Sequence, residues 1–433
     1  MKTLLRRARA RQFGALLGAL APLAFAAAAC AAEPEAAPLT LPAAAELAAT
    51  HQPLLDAQRH AVRAARESAT AAAQLPDPML VGGVDDLVLG GPERYTLRGE
   101  GDTQLMLGIK QTFPGGGERR WLGRRGKAEA GRLAAEFDEQ VRMVRREASL
   151  AWLEVWKAVR VQQVLADTIA EAGRQQQATD IAYRAGRAGQ ADVLAARVAL
   201  ELLNDQLASM AQGEWHARNT LRRWIGADAD RPIDPILPTA PAPDEAALLE
   251  QLDQHPHLAA QAAAVGVARA EVELARADYA PDWSVALAYG YRPDLEDLAT
   301  VQFEIGLPVF RGQRQDRRVE SRSAGLQRAE SLREDWLRQY RAEVVLNVAD
   351  WMRLQQRFRR YDEAILPQAQ QRLEAALAAY GAGSGLLVGV LDARRSLLDI
   401  RMQRLDLELD AARHEARLQY FDLQQDVSLG EQP

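Results

Sequence analysis

One stretch of this chain occurs twice. Ala182–Arg197 (AYRAGRAGQADVLAAR) and Ala379–Arg394 (AYGAGSGLLVGVLDAR) lie 197 residues apart and agree at 8 of 16 positions, among them Tyr183/Tyr380, Gly186/Gly383 and Val193/Val390. The same offset pairs Phe113 with Phe310, Gly115 with Gly312, Leu221 with Leu418 and Trp224 with Phe421. Further upstream, an offset of 203 places Pro53, Val62, Arg66 and Pro78 on Pro256, Val265, Arg269 and Pro281. Two copies are fewer than a solenoid needs, so the 433 residues read as one pseudo-twofold unit.

Each copy reads as a helix that stops, turns and restarts. Gly186 and Gly383 stand where a helix C-terminus takes a left-handed residue, and a helical pattern resumes four to six residues later. From Gly117 to Tyr183 there is no proline, and Leu133, Phe137, Val141, Val144, Ala148, Ala151 and Val155 recur in the steps of four and three that make a coiled-coil seam. Such a helix reaches about 100 Å, which no compact domain can bury, so it must pack on other long helices. The second half matches it from about Gln313 to Tyr380, with a kink expected at Pro367. Shorter return helices follow at Ala191–Ile225 and Val388–Asp426. Helices at Ala43–Leu75 and Glu245–Tyr279 can stack end-on with them to complete a layer. The organisation expected is a signal segment at 1–31, a first repeat at 32–229, a proline-rich linker at 230–243 and a second repeat at 244–433.

Two segments in each half change period. Leu105, Leu107 and Ile109 alternate with Gln104, Lys110 and Thr112; Trp283, Val285, Leu287, Tyr289 and Tyr291 alternate with small or polar residues; Val301 to Val309 does the same after a turn at Pro293–Ala299. Met79–Leu89 is a poorer strand, interrupted by Asp85 and Asp86. Each has about the length of a tilted membrane strand, although a hairpin lying on a soluble core fits the alternation as well. If the four strands span a membrane they cannot close a barrel alone, since about eight is the minimum. Three copies sharing one barrel would supply twelve.

The first residues bear on location. Lys2, Arg6, Arg7, Arg9 and Arg11 precede an apolar run from Phe13 to Ala29, the pattern of a secretory signal. Without those five cations the formal net charge falls from −6 to −11, which argues against nucleic acid as a partner. Cys30, the one cysteine, ends Ala27-Ala28-Ala29-Cys30 and loosely matches a lipidation box, with cleavage after Ala31 the alternative.

Taken together, these parts resemble the TolC-like outer membrane factor family. The resemblance rests on the duplicated Tyr-x-Ala-Gly turns, the strand ends Lys110-Gln111-Thr112-Phe113-Pro114 and Gly306-Leu307-Pro308-Val309-Phe310, and the order of strands and helices. It implies a mainly α chain of long antiparallel coiled-coil helices forming a periplasmic α-barrel. Four strands per chain would join a shared trimeric 12-stranded outer-membrane β-barrel. The implied partners are two further copies, a periplasmic adaptor protein, an inner-membrane pump of the RND type and outer-membrane lipid. Leu75-Pro76-Asp77-Pro78 and the run Gln111–Arg120 look most like the branch serving heavy-metal exporters. Export of drugs or other small molecules is the alternative within the family, and a soluble periplasmic coiled-coil adaptor the alternative outside it.

A conduit needs no catalyst. No P-loop, nucleophile elbow or metal-ligand spacing of cysteines occurs, so no enzyme, cofactor or metal site is expected. His255-Pro256-His257 reads as a solvated helix start. The resemblance puts Gly186, Gly383, Tyr183 and Tyr380 at the periplasmic tip. It makes Asp192 and Asp392 acidic groups at the tunnel entrance, where three copies would form a cation-attracting ring; a first-turn Asp favoured by the helix dipole is the simpler reading. Arg119, Arg120, Arg124, Arg125 and Lys127, echoed by Arg311, Arg314, Arg317 and Arg318, read as a solvated face, with contact to lipid phosphate the sharper alternative.

Overall fold

The computed structural model describes residues 37–92, 94–98, 102–238, 241–293 and 295–423; the signal segment and Cys30 lie outside the described residues. The long helix forms as its seam requires. Helix α3 runs Glu118–Arg184, 67 residues, without interruption. Two helices, α1 (Leu41–His51) and α2 (Pro53–Ala72), lie along its first half, and α4 (Gln190–Ile225) returns along its second. The sequence reading had one helix at 43–75; Pro53 forces Gln52 into an extended conformation (ψ 116°) and divides it.

The second half repeats the arrangement with α5 (Glu245–Gln251), α6 (Pro256–Ala277), α7 (Gln315–Arg360), α8 (Leu366–Gly381) and α9 (Leu387–Phe421). The expected kink falls just upstream of Pro367, where Tyr361–Ile365 form a single π turn between α7 and α8. A proline has no amide to give the preceding turn, and the ladder widens there. The halves meet where α3 packs on α6 and α9. Trp152 and Trp156 sit at the centre of the larger core, fully buried, and their indole N–H groups donate to the carbonyls of Leu39 and Pro235, each at 3.0 Å. The chain before α1 and the chain after α4 are thereby fastened to the middle of α3, and Leu39 also bridges in parallel to Ile233.

Four strands make one antiparallel sheet in the order β1 (Met79–Asp85), β2 (Gln104–Phe113), β3 (Trp283–Tyr291) and β4 (Leu298–Ile305). The two hairpins join because β2 of one half pairs with β3 of the other, from Leu105 opposite Tyr291 to Phe113 opposite Trp283. β1 stops at Asp85, and Asp86 takes a positive φ of 51°. β4 starts and ends earlier than its alternation suggested, because Pro308 has no amide for the ladder and Gly306 donates instead to the Asp282 carbonyl at 3.0 Å. All helices leave from one end of the sheet; Asp86 and Thr103, and Arg292 and Asp297, which flank the hairpin connections, lie at the other.

Candidate functional site

The sheet turns the usual burial rule over. Leu80 on β1, Leu105, Leu107 and Ile109 on β2, Leu287 and Tyr289 on β3, and Val301 and Phe303 on β4 share one face by register, and each is at least 40% exposed. The opposite face carries Gln104 and Ser284, both buried, with Gly108, Gly290, Gln302 and Glu304. Gly108 is required there, since a Cβ on it would meet the Leu287 carbonyl at 2.6 Å; one on Gly290 would displace the end of the Gln104 side chain, 1.9 Å away. Lys110 pairs with Glu304 on that polar face. Apolar residues outward and polar residues inward is the pattern of a sheet whose outer solvent is lipid.

Aromatic side chains bound the apolar band at both ends. Trp283 stacks on Phe113 (centroids 4.3 Å apart) at the helical end, and Tyr289 and Tyr291 stand at the loop end, all three β3 aromatics being exposed. Tyr291 is eight positions along β3 from Trp283, about 26 Å at strand rise, close to the band height of a membrane barrel.

At the far end of the helices, the two tip turns close alike. After α3, Gly186 (φ 70°) donates to the Tyr183 carbonyl at 2.9 Å and Arg187 to Ala182 at 2.8 Å. After α8, Gly383 (φ 76°) donates to Tyr380 at 3.0 Å and Ser384 to Ala379 at 3.0 Å. Both are Schellman turns, which consume the last carbonyls of the helix and need a left-handed residue. Tyr183 is exposed, whereas the Tyr380 hydroxyl is buried.

The two acids differ. Asp192 is the third residue of α4, and its carboxylate accepts the Gly189 amide at 3.0 Å, so it is a helix cap. Asp392 is the sixth residue of α9, beyond the first turn, and is exposed. Among the described residues it has no hydrogen-bond or ion-pair partner, and it lines a groove of about 540 Å³ between α3, α4 and α9 with Asp205 and Asp399. The repeat register sets Asp192 against Gly389 and Asp392 against Ala195, so the two carboxylates are not positional equivalents.

A profile of outer membrane efflux proteins matches residues 44–227 and 248–421, most of both halves. The chain belongs to the outer membrane efflux protein family. In sequence this efflux protein is 27% identical, over 246 residues, to the cobalt-zinc-cadmium resistance protein CzcC of Cupriavidus metallidurans; the match spans 54% of this chain and 56% of that one. In fold it is similar to the outer membrane protein VceC of Vibrio cholerae (TM-score 0.74, 20% identity, 88% of this chain and 95% of that one) and to the CmeC channel of Campylobacter jejuni (0.74, 14%, 90% and 88%). Family membership makes it an outer membrane efflux protein and not an enzyme, which overturns the soluble-adaptor reading.

Two features of this efflux protein escaped the sequence reading. His255 is not solvated: it is fully buried, its Nε2 faces the Tyr420 carbonyl at 3.1 Å and its Nδ1 accepts the His257 amide at 3.3 Å. Among Tyr340, Tyr420 and Phe421 it is a neutral cap, with burial lowering its pKa to about 4. The second is Arg394, buried at 8% exposure, with its guanidinium 3.5 Å from Glu171 of α3. Its repeat partner Arg197 is exposed and pairs with Asp180 of its own hairpin at 3.3 Å. The clue was present: the position equivalent to Asp180 is Leu377, so Arg394 finds no acid within its own hairpin.

Proposed function

We propose that three copies of the chain form an exit duct for a tripartite export system, receiving cargo from an inner-membrane pump of the RND type through a periplasmic adaptor that meets the tip turns. The observation that carries the reading is the sheet: an apolar outer face with both edges, β1 and β4, left without strand partners among the described residues. Open edges are costly in lipid, and pairing β4 of one copy with β1 of the next through three copies would remove all of them. Gly186, Gly383, Tyr183 and Tyr380 are then the adaptor-facing tip.

The cargo proposed is heavy-metal cations. The relative named for cobalt, zinc and cadmium resistance supports this, as does the unpartnered carboxylate of Asp392, which threefold repetition would turn into a cation-attracting ring. Deleting the gene and comparing growth on cobalt, zinc and cadmium with growth on dyes, detergents and antibiotics tests the assignment. Hypersensitivity confined to metals supports it; hypersensitivity only to organic compounds refutes the cargo and leaves the duct.

A further inference from the structure

We propose that Arg120, Trp121 and Arg124, at the start of α3, form a binding site for the headgroup phosphate of an anionic phospholipid in the inner leaflet of the outer membrane. The inference rests on the outer-membrane placement of the sheet and is independent of the cargo.

The aromatic end of the membrane band, Phe113 and Trp283, is joined to α3 by Pro114-Gly115-Gly116-Gly117, and these glycines hold the helix hard against the sheet end. A Cβ on Gly115 would lie 2.2 Å from the Pro281 carbonyl and one on Gly116 2.4 Å from that of Ala277. The Gly115 amide donates to Asp282 at 2.7 Å. The first turns of α3 therefore begin at the level where headgroups follow the acyl chains, on the side from which all helices leave.

The basic residues at this level divide into two groups. Arg125 and Arg322 are spent on Glu271 (3.2 and 2.9 Å), Arg318 on Asp278 (2.8 Å), Arg317 on Glu320 (2.8 Å), and Arg119 on the Ala73 carbonyl (3.1 Å). Arg120 and Arg124 are exposed and, among the described residues, their guanidinium groups have neither hydrogen bond nor ion pair. Both instead lie over the Trp121 ring, with centroid distances of 5.2 and 4.5 Å. Stacking leaves the N–H groups of a guanidinium free at its edge while fixing its plane. Two such forks held over one indole offer N–H donors to a phosphate and an amphipathic ring to the acyl–headgroup boundary. The sequence echo in the second half is not equivalent: Arg311 lies over Tyr279 at 4.1 Å, but Asp316 is 3.8 Å from its Nε.

Native mass spectrometry of the full chain, released from micelles doped with phosphatidylglycerol, tests the site. Wild type should retain the lipid, and the Arg120→Ser/Arg124→Ser double variant should lose about thirtyfold in retention, given roughly one kcal/mol for each of two cations near a headgroup. Arg120→Lys/Arg124→Lys should retain an intermediate amount, and Arg359→Ser/Arg360→Ser, an equal charge change far along α7, should match wild type. Equal retention by the Arg120/Arg124 double Ser variant, or equal retention of uncharged diacylglycerol, overturns the proposal. Displacement of the lipid by millimolar inorganic phosphate would also overturn it, assigning the cations to a free anion. The oligomer mass in the same spectra separates loss of lipid from loss of assembly.

Discussion

His255 ties the first turn of α6 to the last turn of α9, its Nε2 donating to the Tyr420 carbonyl at 3.1 Å while its Nδ1 caps the His257 amide. Tyr420 in turn reaches the hydroxyl of Tyr340 on α7 at 3.2 Å, and Arg142 of α3 donates to the Asp422 carbonyl at 3.0 Å. One imidazole thus joins the helices that end near the middle of the periplasmic part. His255→Ala removes the cap, the link and the ring, and should destabilise by about 3 kcal/mol. His255→Asn keeps a capping oxygen and should recover part of that loss. Urea midpoints of the two variants check the order; equal midpoints would mean that capping contributes nothing.

A buried histidine and a half-buried glutamate act in opposite directions on stability. Burial lowers the His255 pKa from 6.5 to about 4, so as pH falls below 6.5 the unfolded chain binds a proton that the native state refuses, and stability drops until about pH 4. Burial raises the Glu415 pKa from 4.5 to about 7, so its contribution is most favourable below 4.5 and is lost as pH rises through 7. Between pH 4.5 and 6.5 the two slopes oppose. Glu415→Gln should therefore make the protein fall off more steeply on acidification, and should stabilise it at pH 8 by on the order of 1 kcal/mol after allowing for solvent screening. His255→Asn should reverse the sign of the slope. Thermal midpoints from pH 4.5 to 8 give the comparison, and parallel curves for all three proteins would refute it.

The long-range plan could be read from sequence because its determinants are periodic. The seam through Val144, Ala148, Ala151 and Val155 is buried along α3, and the paired positions Val193/Val390 and Ala196/Ala393 are buried in both halves. The alternation of β2 and β3 gave their lengths, but not which face was wet, because an apolar stripe reads the same against a core and against lipid. Exposure of Leu107 and Phe303 decides it only in three dimensions. What sequence could not supply were contacts between residues far apart along the chain. Glu171 and Arg394 are 223 residues apart, and His255 and Tyr420 165. Neither pair carries a local signal, and His255-Pro256-His257 looked solvated because its aromatic neighbours come from α7 and α9.

The tip glycines are needed for their backbone and not for space. Gly186 and Gly383 have φ of 70° and 76°, yet a Cβ on either would meet nothing within 4 Å. Ala at either position should cost about 1 kcal/mol, from the left-handed conformation alone. Asn, which tolerates that conformation, should cost less. Denaturant unfolding of Gly186→Ala, Gly186→Asn and the matching pair at 383 measures this. A loss well above 2 kcal/mol would show that a neighbouring chain packs on the turn.

Asp192 and Asp392 should separate when each is changed to Ala. Asp192 accepts the Gly189 amide, so Asp192→Ala leaves an N-terminal amide of α4 unpaired and should destabilise by about 1 kcal/mol. Asp392 supports no backbone group, so Asp392→Ala should leave stability within about 0.5 kcal/mol. The functional order is the reverse. A carboxylate already committed to a cap is less available to a passing cation, whereas the exposed one stands open in the groove that Asp205, Asp399, Arg394 and Arg395 also line. In planar bilayers Asp392→Ala should weaken block by divalent cations, with Asp192→Ala close to wild type. Unchanged block in Asp392→Ala would remove that residue from the entrance. Block lost in Asp192→Ala alone would mean that the cap opens in the assembled channel and frees the carboxylate for the lumen.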